Sequence, residues 1–87
     1  MTNRPRIVFS RHADDMIVER QLERAWIEET IFNPEIAEPD PHRPGVKRAF
    51  RRVPERGDRY LRVAYVETKD TIKVITLFLD RGKRRRN

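Results

Sequence analysis

The sequence predicts an α+β domain: a short N-terminal strand, then a two-helix hairpin packed on an antiparallel meander sheet. Three observations predict it. Apolar residues recur at helical spacing between Ala13 and Ile31, and at strand spacing between Lys47 and Asp80. Between the two regions lies Pro39-Asp40-Pro41-His42-Arg43-Pro44-Gly45, whose three prolines and one glycine make a loop. Beyond that loop, the turn sequences Pro54-Glu55-Arg56-Gly57-Asp58 and Thr68-Lys69-Asp70 cut the strand region into three.

The first element is the strand Arg6-Ile7-Val8-Phe9. Ser10 follows with the chemistry of a helix N-cap, worth about 1 kcal/mol against alanine. Asp14 and Asp15 then complement the positive end of the helix dipole. Ala13, Met16, Ile17 and Arg20 mark one face of this helix, which ends near Arg20, and Gln21 and Leu22 form a bend. A second helix is expected from about Glu23 to Phe32. Its apolar stripe is Leu22, Ala25, Trp26, Ile27 and Ile31, with Glu23, Arg24, Glu28 and Glu29 towards water. Pro34 stops it, because proline cannot continue the hydrogen-bond ladder.

Glu35 to Glu38 reads as a short strand, followed by strands at Lys47–Val53, Arg59–Glu67 and Thr71–Asp80. In the middle one of these three, Leu61, Val63 and Tyr65 share a face opposite Tyr60, Arg62, Ala64 and Val66. In the last, Ile72, Val74, Thr76 and Phe78 are expected to oppose Ile75, Leu77 and Leu79. Both of its faces are apolar enough to make it central or covered by the helices. Residues 1–80 therefore read as one domain. Residues 81–87 read as a basic, disordered tail without apolar content.

Composition narrows the function. Of the 87 residues, 37% are hydrophobic and 39% charged, and there is no cysteine, which excludes disulfides and thiolate metal sites. No apolar run approaches the roughly 20 residues of a membrane helix. Met1-Thr2-Asn3-Arg4-Pro5-Arg6 leads into no apolar segment of signal-peptide type, so a cytoplasmic protein with no membrane partner is expected. The net charge of +6 is unevenly placed. Asp14 to Asp40 holds nine acidic and two basic residues, whereas Arg43 to Arg62 holds eight basic and two acidic. The basic strand half suits phosphate; the acidic helical half suits solvent or a basic partner.

The order β-α-α-β-β-β-β resembles the RelE-like toxin fold. More closely, the residues resemble the family of domain of unknown function 4258. Its helix start Ser-x-His-Ala is matched by Ser10, His12 and Ala13, and its Asn-Pro-Glu segment by Asn33, Pro34 and Glu35. Its arginine-aromatic-leucine-arginine-valine strand is matched by Arg59-Tyr60-Leu61-Arg62-Val63, and its last strand by Val74-Ile75-Thr76. The resemblance spans roughly residues 7 to 80 and implies a RelE-like domain. Three positions depart from the pattern: Met16 replaces an arginine, Gln21 a glycine, and Phe78 an aromatic that is frequently tyrosine. Phe78 offers no hydroxyl, so a mechanism relying on one is closed to this chain. The wider fold group includes ribonuclease toxins restrained by antitoxins, which implies RNA or the ribosome, and an antitoxin-like protein, as partners.

Metal-independent RNA cleavage needs a base for the 2′-hydroxyl proton, cations for the charge growing on phosphate, and an acid for the leaving 5′-oxygen. His12 is the base candidate. Arg62, in mid-strand, is the first cation candidate and Arg52 joins it as a possible catalytic group. Arg48 and Arg51 are further phosphate ligands, although consecutive Arg51 and Arg52 point to opposite faces of a strand. Thr76 could orient a phosphate oxygen, and Tyr60 could stack a base. Tyr65 and Trp26 read as core. Lys83, Arg84, Arg85 and Arg86 make a phosphate clamp in the tail. No metal or cofactor site is expected, because His12, Asp14 and Asp15 lack a chelating spacing and His42 lies in a remote loop. The leading expectation is a toxin-like RNA-binding and RNA-cleaving domain. The alternative is a non-catalytic module that binds nucleic acid or protein.

Overall fold

A computed structural model describes residues 4–80. The elements are β1 (Arg6–Phe9), α1 (Arg11–Arg20), α2 (Arg24–Phe32), β2 (Ile36–Pro39), β3 (Lys47–Val53), a short 3₁₀ turn (Pro54–Arg56), β4 (Arg59–Glu67) and β5 (Thr71–Asp80). The fold is α+β, with both helices against a five-stranded sheet of order β1-β5-β4-β3-β2. The tail residues Lys83, Arg84, Arg85 and Arg86, and the disorder expected of 81–87, lie outside the described residues.

The sheet is mixed, which corrects the antiparallel meander. β2 to β5 pair antiparallel with their neighbours, but β1 lies parallel to β5, with Ile7 opposite Ile72 and Phe9 opposite Val74. A parallel pair needs a long crossover rather than a hairpin. Here the crossover is the rest of the domain, so nothing local in Arg6–Phe9 announces its partner.

A second correction concerns β5. Ala64 pairs with Thr76 but the next residue, Tyr65, pairs with Val74, which leaves Ile75 as an extra residue in a bulge. One inserted residue reverses the alternation. Ile72 and Val74 therefore join Leu77 and Leu79 in the core, together with Leu61, Val63 and Tyr65 of β4, instead of sharing a face with Thr76 and Phe78.

Ser10 sits against the bulge. Its backbone N–H donates to the Val74 carbonyl (2.9 Å), and its hydroxyl donates to the Ile75 carbonyl (2.7 Å). The same oxygen accepts from the Ala13 N–H at 3.0 Å, which caps α1. Chain pairing with β5 thus stops and the helix starts at one residue. α1 then runs beside β5, and α2 lies over β3 and β4.

The buried face of α2 is Ile27, Thr30 and Ile31, spaced i, i+3, i+4. Ala25 is exposed and Trp26 half-buried, so the apolar stripe is rotated from the one read in the sequence. Thr30 is fully buried because its hydroxyl donates to the Trp26 carbonyl at 2.7 Å, leaving its methyl to the core. Gln21, between the helices, has φ 53 in the left-handed region, where a side chain costs about 1–2 kcal/mol and glycine nothing. That is the physical reason a glycine suits this position.

Two stability changes follow. Ser10→Ala removes the cap and leaves the Ile75 carbonyl without its donor, and is expected to cost about 1–2 kcal/mol in urea unfolding. Gln21→Gly is expected to raise stability by about 1 kcal/mol in the same assay. A neutral Ser10→Ala would mean that the bulge contact contributes nothing.

Candidate functional site

The face of the sheet away from the helices gathers most of the candidate residues. Strand alternation puts Arg48, Phe50 and Arg52 of β3 on it, and the pairing registers align these with their neighbours in three rows. One row runs Glu38, Arg48, Ala64, Thr76 across β2 to β5. The next runs Ile36, Phe50, Arg62, Phe78. The third runs Arg52, Tyr60, Asp80, and Glu35 closes its end through contacts to Arg52 and Tyr60.

The arginines lie over aromatic rings. The Arg62 guanidinium carbon is 5.0 Å from the Phe78 ring centroid and 6.0 Å from that of Phe50, and Arg48 sits 5.8 Å from Phe50. Such contacts contribute about 0.5–2 kcal/mol each and hold a guanidinium flat. Phe50 is only 2% exposed as a result of this packing and of its strand position. The arginine side chains themselves are 17% (Arg48) and 26% (Arg62) exposed, and the Nε of each is buried without a hydrogen-bond partner among the described residues.

Each arginine of this face also meets a carboxylate. Arg48 pairs with Glu38, and Arg52 Nε lies 3.3 Å from Glu35. Arg62 Nη1 stands 3.9 Å from Asp80, the loosest of the three. Glu35 additionally accepts the Arg52 backbone N–H at 3.0 Å and the Tyr60 hydroxyl at 3.3 Å. Burial, the largest influence on its carboxyl, raises the pKa. The Arg52 N–H, the Arg52 guanidinium and the Tyr60 hydroxyl together outweigh it and hold the group below its ordinary value.

His12 stands at the rim. It occupies the first turn of α1, exposed, with Nε2 3.1 Å from Thr76 Oγ1. The Ser10 junction with the bulge places that first turn beside β5 where β1 ends. His12, Thr76, Arg48, Arg52, Arg62 and Tyr60, separately chosen from the sequence, thus gather on one face and its edge. Tyr60 is 4% exposed with its hydroxyl on Glu35, so its ring packs within the sheet surface and presents no face for stacking.

Arg51 does not join them. It points to the helix side, donating to the Asn33 carbonyl at 2.7 Å and standing 3.9 Å from Glu29. Trp26, read as core, is half-buried at the core's margin, with the Arg56 guanidinium over its ring at 5.3 Å. Among the described residues no three histidine, aspartate or glutamate side chains gather as a metal would need. None of the described helices is long and apolar enough to cross a membrane.

Sequence reasoning missed the carboxylates Glu35, Glu38 and Asp80, and the ring pair Phe50 and Phe78 that seats Arg62. The alternation Arg48-x-Phe50-x-Arg52 is a visible signal for half of this surface. The alignment of β3 with β2, β4 and β5 has no such signal.

A family model described as a domain of unknown function, DUF4258, matches residues 9–79. No curated protein and no solved structure matches the chain.

Glu35 makes the surface acid-sensitive. A carboxyl whose pKa is lowered by folding stabilises the protein above its ordinary titration range, and this contribution is lost as pH falls through the folded value. Urea midpoints of wild type and Glu35→Gln are therefore expected to differ most at neutral pH and to converge as pH falls below the ordinary glutamate range. A gap that stays constant with pH would show that Glu35 acts through packing alone.

Proposed function

The chain belongs to the DUF4258 family, whose description carries no activity, and we propose that its helix-free face binds RNA and that His12 cleaves it there without a metal. The observation that carries this reading is the 3.1 Å contact between His12 Nε2 and Thr76 Oγ1, which seats the imidazole at the edge of the arginine rows.

The chemistry is a transesterification. His12 takes the proton of the 2′-hydroxyl, the 2′-oxygen attacks the neighbouring phosphorus, and the bond to the 5′-oxygen breaks. The imidazolium then returns its proton to the departing 5′-oxygen, leaving a 2′,3′-cyclic phosphate and a 5′-hydroxyl. An imidazole suits both halves of this shuttle because its charge changes near neutral pH. Arg62 takes the charge growing on the phosphate. Its long contact to Asp80 is the easiest on the face to exchange for a phosphate oxygen, since a charge-assisted guanidinium–phosphate bond forms at about 2.7–2.9 Å. Thr76 orients the imidazole and a phosphate oxygen, and Arg52 supplies a second cation. Arg48, bound to Glu38, positions the row beside it.

The RelE-like assignment belongs to the same proposal, and with it a toxin-like role against RNA or the ribosome, held in check by an antitoxin-like protein in the cytoplasm. The helix pair laid on one side of a sheet with the other side carrying cations supports it.

A second reading is a non-catalytic module that uses the same face to bind nucleic acid or an acidic protein segment. Phe78 favours it, because the ring flanking Arg62 carries no hydroxyl to serve as acid.

Incubation of the purified protein with RNA and with translating ribosomes in chelator separates the two. Cleavage is expected, with His12→Ala lowering it on the order of 10²–10⁴-fold and Arg62→Ala doing the same while both keep the fold. Binding to single-stranded RNA is expected to show a log–log salt slope of about −3, for about four neutralised phosphates. Salt-sensitive binding without cleavage gives the second reading. Full activity in both variants excludes the site.

A further inference from the structure

We propose that the recess between the end of α1 and the outer ends of β4 and β5 binds a phosphate monoester, the terminal phosphate of the RNA strand lying on the helix-free face. This rests on the RNA reading above and names a substrate feature for it.

The recess has a volume of about 270 Å³ and is lined by Met16, Arg20, Arg56, Arg59, Phe78 and Leu79. Three arginines and no aspartate or glutamate are among these lining residues. Among the described residues Arg20 meets one carboxylate, Glu19 at 4.0 Å, with both side chains more than half exposed. Among the described residues no carboxylate stands within ion-pair distance of Arg56 or Arg59. This contrasts with the helix-free face, where Arg48, Arg52 and Arg62 each meet an acid. Three like charges around one hollow repel one another, and an anion among them removes that cost.

Arg56 is held ready for such a role. Its Nη2 donates to the Arg20 carbonyl at 3.1 Å and to the Gln21 carbonyl at 2.7 Å, and its guanidinium lies over Trp26. These bonds satisfy carbonyls at the C-terminal end of α1 and put a cation where the helix dipole is negative, offsetting part of the repulsion an anion would meet there. Held in this way, Arg56 forms a fixed part of the lining of the recess.

The recess also adjoins the proposed reaction centre. His12, Met16 and Arg20 are four residues apart and share one stripe of α1. The first of them meets Thr76 and the last lines the recess, about 12 Å along the helix. Phe78 is common to both: one of its sides closes the recess, and the Arg62 guanidinium lies 5.0 Å from its ring. A short stretch of single strand spans this interval. A terminal phosphate carries about −1.5 to −2 charges near neutral pH against −1 for an internal diester, so it is the better match to three guanidiniums.

The test titrates the full chain with inorganic phosphate, and with one oligoribonucleotide carrying either phosphate or hydroxyl at its ends. Wild type, Arg59→Gln and the control Lys69→Gln, in the turn at the far end of β4, are compared. Arg59→Gln is expected to weaken phosphate binding on the order of tenfold and Lys69→Gln to leave it unchanged. Wild type is expected to prefer the phosphorylated strand by a similar factor, and Arg59→Gln to lose that preference. Phosphate binding equal in wild type and Arg59→Gln overturns the site. Phosphate binding that needs Arg59, with no preference for the phosphorylated strand, overturns the terminal-phosphate assignment. If phosphate binds through Arg59 but neither strand binds at all, the recess stands as a site for free phosphate and the RNA reading of the face falls.

Discussion

One oxygen atom, the Ser10 hydroxyl, joins the two halves of this structure. It donates to the carbonyl of the bulged residue Ile75 and accepts from the Ala13 N–H in the first turn of α1. A cap alone would begin the helix, and a bulge alone would turn β5. Their union fixes the helix against the strand at one point, and everything downstream depends on that point. Toward the core, the bulge returns Ile72 and Val74 to the helix side, where they meet Ile7, Phe9 and Leu22. Toward the surface, it leaves Thr76 and Phe78 on the helix-free face and sets His12 beside them. One inserted residue thus serves both the small core and the placement of His12 at the rim of the sheet.

The helix-free face shows how cations are kept on a sheet that no helix covers. Ion pairs at such surfaces contribute about 0–1 kcal/mol each, so Glu35, Glu38 and Asp80 each stabilise the fold only modestly. Their effect is positional: they hold long side chains flat. The rings of Phe50 and Phe78 do the rest, since a guanidinium over a ring keeps its planar fork while losing few of its donors. Among the described residues the Nε atoms of Arg48 and Arg62 have no acceptor, against the general rule that buried donors find one.

The charge distribution has a consistent geometry. Most acids of the helical segment lie on α1 and α2, with Glu35 and Glu38 reaching the sheet, while most cations of the strand segment lie on β3 and β4. Arg51 and Arg56 cross between the two, tying β3 and the 3₁₀ turn to the ends of α2 and α1 through carbonyl oxygens. Two arginines that composition counts toward nucleic acid therefore have structural duties at helix C-termini, where positive charge is favoured in any case.

The amino-acid sequence by itself determined the elements. Hydrophobic period, the Ser10 cap, Pro34 and the glycine- and proline-rich turns are local signals, and β1, α1, β3, β4 and β5 fall within the expected bounds, with α2 and β2 within a residue. It also determined which residues could hold charge and which could take a proton, because those are properties of side chains. The tertiary structure alone decided three things. It placed β1 parallel to β5, since strand partners are selected by packing across the whole chain. It inserted the bulge at Ile75, which no composition signal marks and which inverts the faces assigned to Ile72 and Val74. And it set the registers that bring Glu35, Glu38, Asp80, Phe50 and Phe78 around the arginines. A residue's chemistry is intrinsic, whereas its neighbours depend on pairings between segments tens of residues apart, and only the folded chain contains those.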